Sequence, residues 1–162
     1  MAHLEEQQLE QQQPKQHVLI LIGLPGSGKS TLAASYAANH NYKVVCQDEL
    51  KTEAKCLRAA ESFLEQGSSI VVDRTNMSRK SRRVFIELAQ QHKAACSAII
   101  LGNVTDKRCE DLCFDRVAKR AHHPTLNSYS STKRIRLVFA VLRKAYQPVD
   151  PSENLRFEVR NL

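Results

Sequence analysis

At 162 residues the chain has the length of one domain with a sizeable core, and nothing in it suggests a second. No apolar run approaches the ~20 residues that cross a bilayer. The five cysteines form an odd set without framework spacing, which argues against a disulfide scaffold and points to a reducing, intracellular compartment, nucleus or cytoplasm. A formal net charge of +7 favours a polyanionic partner.

Residues 1–16 are rich in Gln and Glu, with three glutamates against one lysine. They hold too little apolar surface to offset ordering entropy, so a disordered leader is expected. No charged, apolar and small-residue leader precedes the body, so no secretory signal is expected. The folded body is expected over residues 17–162. It alternates strands and helices: strands at Val18–Ile22, Lys43–Gln47, Ser69–Asp73, Ser97–Leu101 and Leu155–Val159, and helices at Lys29–His40, Thr52–Gln66, Ser78–His92, Thr105–Arg120 and Thr132–Tyr146. In the last helix Ile135, Val138, Phe139 and Leu142 recur at helical spacing. Ser78, Thr105 and Ser131 are expected N-caps. In the last strand Leu155, Phe157 and Val159 alternate with charged neighbours. Continuous apolar strands between amphipathic helices predict an α/β fold: a five-stranded, mostly parallel sheet with helices on both faces. Right-handed crossovers then bring the C-terminal ends of the strands to one edge, where ligands of open α/β sheets bind.

Between the first strand and first helix lies Gly23-Leu24-Pro25-Gly26-Ser27-Gly28-Lys29-Ser30-Thr31. Strand, glycine loop and helix are the context of a phosphate-binding loop. Glycines let successive N–H groups turn inward on phosphate oxygens, and the helix N-terminus adds its dipole. Lys29 would reach the β- and γ-phosphates, and Ser30 would place its hydroxyl on Mg²⁺.

Asp48 follows the second strand and Asp73 closes the third, so both are expected to face the glycine loop. One carboxylate can take the proton of an incoming hydroxyl, and the other can hold Mg²⁺ and its waters. Either would equally serve as a loop acid or helix cap. Arg116 and Arg120 stand at i and i+4 on one helix face, before a stretch, Ala121–Ser131, that would form a closing lid. Such arginines neutralise a transferring phosphoryl group, although the same pair would suit a solvated face. Cys109 and Cys113 share a helix face ahead of His122 and His123, which would permit zinc. Buried apolar cysteine is the ordinary alternative.

Together Gly23–Thr31, Gln47-Asp48-Glu49-Leu50-Lys51 and Asp73-Arg74-Thr75-Asn76 resemble the kinase domain of polynucleotide 5′-kinases, and most closely the kinase half of the DNA-repair kinase/phosphatases. The resemblance runs from His17 to the C-terminus and implies a P-loop kinase fold with a small lid. It implies transfer of the ATP γ-phosphoryl to the 5′-hydroxyl of DNA or RNA, in repair or end processing, with Mg²⁺. It also implies roles: Asp48 as general base, Lys51 where the family often has an arginine for the strand's terminal phosphate, Asp73 as the second acid with Thr75 and Asn76 completing its motif, and Arg116 and Arg120 as lid arginines. Pro148–Glu153 resembles the loop near the nucleotide base. Arg79, Lys80, Arg82 and Arg83 would then lie on the acceptor side and track strand phosphates. With no tryptophan and few aromatics, a wide base-stacking platform is not expected. A phosphatase signature D-x-D-x-T, a ligase motif and a histidine-triad motif are not among these residues, and a monomer acting on an accessible strand end is expected. Two other readings stay open: a small-metabolite kinase of gluconate or shikimate type, and a nucleotide-dependent switch without transferase activity.

Overall fold

The computed structural model describes residues 15–120, 126 and 131–162. Its five strands are β1 (His17–Ile22), β2 (Lys43–Cys46), β3 (Ile70–Asp73), β4 (Ala95–Leu101) and β5 (Arg156–Arg160). They form one sheet in the order β2-β3-β1-β4-β5, with every neighbouring pair parallel. The central strand β1 is an unbroken apolar run, and Val18 to Ile22 are at most 2% exposed. A strand buried on both faces needs no polar alternation.

Six helices are described: α1 (Lys29–His40), α2 (Gln47–Leu50), α3 (Glu53–Glu65), α4 (Arg79–Gln91), α5 (Lys107–Ala118) and α6 (Thr132–Ala145). α1 covers one sheet face through Ala33, against Leu19, Leu21, Val71 and Ile99. α3 and α4 cover the other: Cys56, Ala60, Leu64, Phe85 and Leu88 pack on Val18, Ile20, Val45 and Val72. A third cluster joins α5 and α6 through Cys113, Val117, Ile135 and Phe139 to Leu24 of the glycine loop and Met77 beyond β3.

Ser78 and Ser131 cap α4 and α6 as expected, their side chains accepting from Ser81 and Arg134 N–H. Thr105 does not cap α5. Asp106 does, its carboxylate accepting from Arg108 N–H, while the Thr105 hydroxyl donates to Asn103 Oδ1 at 2.8 Å. A competing local turn takes the threonine out of the cap position. Gln16, expected in the leader, is tied down: its side chain donates to the carbonyls of Leu64 and Ser68, and its own carbonyl accepts from Ala95 N–H. Residues 1–14 lie outside the described residues. β5 begins after Leu155, which is buried, and all five of its residues are exposed, Phe157 at 51% and Val159 at 56%. The alternation there marks an edge strand paired only with β4, not a buried face.

Candidate active site

With β1 between β3 and β4, the C-terminal ends of β1, β2 and β3 lie side by side, and Cys46 of β2 is opposite Asp73 of β3. Each strand end carries part of the site. From β1 the chain enters the glycine loop, where Gly26 (φ 84°) and Gly28 (φ 95°) take the left-handed backbone. Gly28 is the N-cap of α1 and brings no side-chain acceptor, so the first N–H groups of α1 are left for an anion. At Gly26 a Cβ would stand 2.4 Å from the Cys113 carbonyl oxygen, so α5 packs directly on the loop backbone.

Lys29 is 8% exposed, and its Nζ donates to the Leu24 carbonyl at 2.8 Å and Ser27 Oγ at 3.4 Å. Burial pulls its ammonium down to about 8, against the opposing pull of Asp73. Ser30 Oγ donates to Asp73 Oδ2 at 2.7 Å, and Asp73 is 7% exposed. Asp48 sits on α2, a single turn between β2 and Lys51 that was not foreseen as a helix. Lys51 (φ 73°) closes that turn, and its Nζ donates to the Asp48 carbonyl.

The loop after β3 is stitched to the end of β1. Gly23 N–H donates to the Thr75 carbonyl at 3.2 Å, and Asn76 Nδ2 donates to the Leu21 carbonyl at 2.7 Å. Asn76 is 2% exposed, with its backbone left-handed at φ 48°. A shared turn of the chain thus sets both phosphate loop and acid.

A cavity of about 620 Å³ opens on these groups. It is lined by Pro25, Gly26, Gly28, Lys29, Ser30 and Thr31 of the loop, by Gln47 and Asp48 of α2, by Asp73, Arg74 and Thr75 beyond β3, and by Arg120. Burial lowers the Arg120 guanidinium from its ordinary value, while Asp48, Cys113 and Asp73 hold it up. The far wall is Leu126 with Arg134, Val138 and Leu142 of α6.

The remaining expected residues lie elsewhere. Gly23, Ser27, Lys51 and Asn76 do not line the cavity, and Arg116 turns its Nη1 onto the Gly26 carbonyl at 3.3 Å. Arg79 pairs with Asp150 at 2.9 Å and Arg83 with Glu87 at 2.7 Å. Arg82, expected on the acceptor side, is instead fully buried. Its guanidinium grips both carboxylate oxygens of Glu153 at 2.7 and 2.8 Å and donates to the carbonyls of Asn76 and Met77 at 3.1 Å. The Pro148–Glu153 segment, expected near a nucleotide base, is bound to α4 by those two arginines and gives no residue to the cavity. The lid residues 121–125 and 127–130 lie outside the described residues, as do His122 and His123 of the zinc alternative. Cys113 is buried, its thiol pushed up to about 12. Among the described residues no group of three or more potential ligands could hold a metal ion.

Sequence reasoning missed Gln47, Arg74, Leu126, Arg134, Val138 and Leu142 as site walls. A signal existed for the last three: they recur at i, i+4 and i+8, along one side of the apolar stripe that also holds the buried Ile135 and Phe139.

Sheet order, glycine loop and cavity define a P-loop nucleotide-using domain with a kinase-like fold. A family model described as an AAA domain matches residues 18–56 and 51–148, and the chain belongs to that family. A bifunctional polynucleotide phosphatase/kinase of Schizosaccharomyces pombe (strain 972 / ATCC 24843) is 42% identical over 86 residues, covering 53% of this chain and 21% of the relative. The chain therefore spans about a fifth of that relative's length. Among solved structures, a fungal RNA kinase superposes with TM-score 0.69 at 17% identity, over 91% of this chain and 75% of that one. A gluconokinase from Sinorhizobium meliloti 1021 superposes with TM-score 0.62 at 16% identity, over 92% of this chain and 84% of that one. Both likenesses are of fold. No helix among the described residues is long and apolar enough to cross a membrane.

Proposed function

We propose that this chain is a polynucleotide 5′-hydroxyl kinase, taking the γ-phosphoryl group of ATP to the 5′ end of a DNA or RNA strand, as an intracellular monomer in nucleic-acid repair or end processing. The observation that carries the reading is the common cavity, in which Asp48 faces the same space as the phosphate loop while Asp73 is engaged by Ser30. On this reading Asp48 is the proton acceptor and Asp73 the partner of the phosphate loop. The relative named as a polynucleotide phosphatase/kinase and the basic excess of +7 support the polynucleotide acceptor.

Ser30 hydroxyl and Asp73 carboxylate are adjacent hard oxygen donors, the kind magnesium takes, so the residues fit that ion and would hold it. When bound, magnesium supplies charge neutralisation on the phosphoryl oxygens. Backbone amides from Gly26 to Lys29 receive the β-phosphate. Lys29 exchanges the Leu24 carbonyl for phosphate oxygen. Asp48 accepts the proton as the 5′ oxygen bonds to the γ-phosphorus, the bond to the β-phosphate oxygen breaks and ADP leaves. Arg120 stabilises the transferring charge from the cavity wall, and Arg116 acts through the Gly26 carbonyl it already holds. Lys51 and Thr75 serve the strand end, while Asn76, expected there, is buried and instead ties the loop that carries Thr75 to the end of β1. Arg79 and Arg83 would join them by exchanging Asp150 and Glu87 for strand phosphates.

The test uses γ-labelled ATP, magnesium and matched DNA and RNA oligonucleotides with 5′-hydroxyl ends, beside gluconate and shikimate. Label on the 5′ end is expected, falling by about 10²–10⁴-fold in Asp48→Ala with ATP still bound. Label on gluconate or shikimate alone would move the chain to the metabolite kinases, and ATP bound without any transfer would make it a nucleotide-dependent switch.

A further inference from the structure

Two basic clusters, Arg79-Lys80 with Arg82-Arg83 on α4 and Lys133-Arg134 with Arg136 on α6, meet different fates. On α4 the three arginines each have a carboxylate, Arg82 in a buried pair with Glu153, Arg79 and Arg83 in surface pairs with Asp150 and Glu87, and Lys80 is exposed. On α6, Arg143 pairs with Glu110 and Arg136 lies over the Phe114 ring at 4.6 Å. Lys133, Arg134 and Lys144 are exposed, and among the described residues no carboxylate pairs with them.

Between these cations α6 exposes Leu137 at 64% and Val141 at 59%. Leu137 stands at i+3 from Arg134, and Val141 at i+3 from Val138. Residues so spaced touch along a helix surface. Arg134 and Val138 line the cavity. The apolar wall therefore continues over the rim and out along α6, flanked by cations with which no carboxylate among the described residues pairs.

Resting on the kinase reading above, we propose that this outer ridge of α6 is the track along which a single-stranded polynucleotide leaves the cavity, with sugars and bases on Leu137 and Val141 and phosphates on Lys133 and Lys144. Two observations select this occupant. The ridge is continuous with the acceptor cavity, and its charge, Lys133, Arg134 and Lys144, is of one sign, complementary to a phosphodiester chain. Apolar contact without sequence reading suits an enzyme that recognises an end.

The experiment compares two acceptors with the same 5′ residue, a nucleoside 3′-monophosphate and a single strand of about twenty nucleotides. The forms are wild type, Leu137→Gln/Val141→Gln and Lys133→Ala/Lys144→Ala. All four side chains are exposed, so folding is retained, and far-UV circular dichroism checks it. The apolar pair is expected to raise KM for the long strand about tenfold. The lysine pair is expected to flatten the log–log salt dependence of strand binding by about 1.4, two phosphate contacts at ~0.7 each. Kinetics on the monophosphate stay unchanged. Variants with wild-type KM and salt slope on the long strand would overturn the track, as would equal losses on both acceptors. A concentration-dependent dimer dispersed by Leu137→Gln would assign the ridge to a second copy instead. If the wild type phosphorylates neither acceptor, the kinase reading itself fails, a result visible without any variant.

Discussion

At the scale of single residues, two glycines of the same loop make different demands. Both hold a left-handed backbone, but Gly28 has open space where a Cβ would point, whereas Gly26 has the Cys113 carbonyl oxygen at 2.4 Å. Gly28→Ala should therefore cost only the backbone conformation, about 1–2 kcal/mol. Gly26→Ala adds a clash with backbone that cannot rotate away, so α5 must part from the loop. Thermal denaturation should show a larger Tm loss for Gly26→Ala, and titration with ATP a loss of binding. Equal losses would refute the packing argument. Lys29 makes a second case. Its native value of about 8 lies below its ordinary 10.5, so between the two the unfolded chain binds more protons and stability rises with pH. The destabilisation is full below pH 8, on the order of 3 kcal/mol, and is relieved as pH rises towards 10.5. The thiols and tyrosines whose values are raised by burial push the other way. The measurement is thus a difference: unfolding free energy of wild type minus Lys29→Met should rise across this window. A flat difference would show that Lys29 is not desolvated. A bound polyphosphate favours the ammonium, so ATP binding should take up protons above pH 8, readable by calorimetry in buffers of different ionisation heat.

At the scale of elements, the loop after β3 depends on a side chain that does not itself reach the cavity. Arg82 of α4 binds the Asn76 and Met77 carbonyls with one edge and Glu153 with the other, so the strap 147–153 clamps the segment that carries Asp73–Asn76. Gln147 N–H adds a bond to the Met77 carbonyl at 2.8 Å. Burial alone would raise Glu153, but the Arg82 hydrogen bonds hold it below its ordinary value. Arg82→Ala takes the counter-charge from the Glu153 carboxylate, leaving it only the Asp150 N–H, and takes a donor from the Asn76 and Met77 carbonyls, and should cost about 3–5 kcal/mol in urea unfolding. Adding Glu153→Gln should recover part of that, giving a double-mutant cycle with clear coupling. Purely additive losses would mean that the pair does not act as a unit. No local pattern announces this clamp, since the partners are 71 residues apart. What was legible in the sequence is what short range decides. Uninterrupted apolar runs gave β1 and β3, helical spacing and serine caps gave α4 and α6, and the glycine loop between strand and helix gave the phosphate site. Asp48 and Asp73 followed from strand ends. The exposure of β5, the inward turn of Arg82 and the cavity wall on α6 follow from the packing order of elements, and Arg79 to Arg83 look alike until Asp150, Glu153 and Glu87 are brought to them.

At the scale of the whole molecule, pairing and burial fall from β1 at the centre of the sheet to β5 at its edge, and the phosphate loop starts where they are highest. β1 pairs on both sides and is covered on both faces, while β5 pairs with β4 alone and exposes every residue. The groups that need fixed geometry, Lys29, Ser30 and Asp73, hang from the ends of β1 and β3. Val138 and Leu142 of the α6 wall pack on the third cluster, whose members include Leu24 of the glycine loop and Met77 beyond β3 and no residue of a strand. Such a division lets the phosphate loop stay formed while the opposite wall adjusts to a substrate. Native-state hydrogen exchange resolves the hierarchy, because amides that open only on global unfolding share its steep denaturant dependence and those that open locally show almost none. Amides of Val18–Ile22 and Ile70–Asp73 should exchange with the global slope. Those of Arg156–Arg160 should exchange faster and with a shallow slope, and the α6 amides should fall between until ATP and a 5′-hydroxyl strand are added together. A β5 that follows the global slope would mean that the edge is locked to the core, and an α6 unmoved by both substrates would leave the adjustable wall without support.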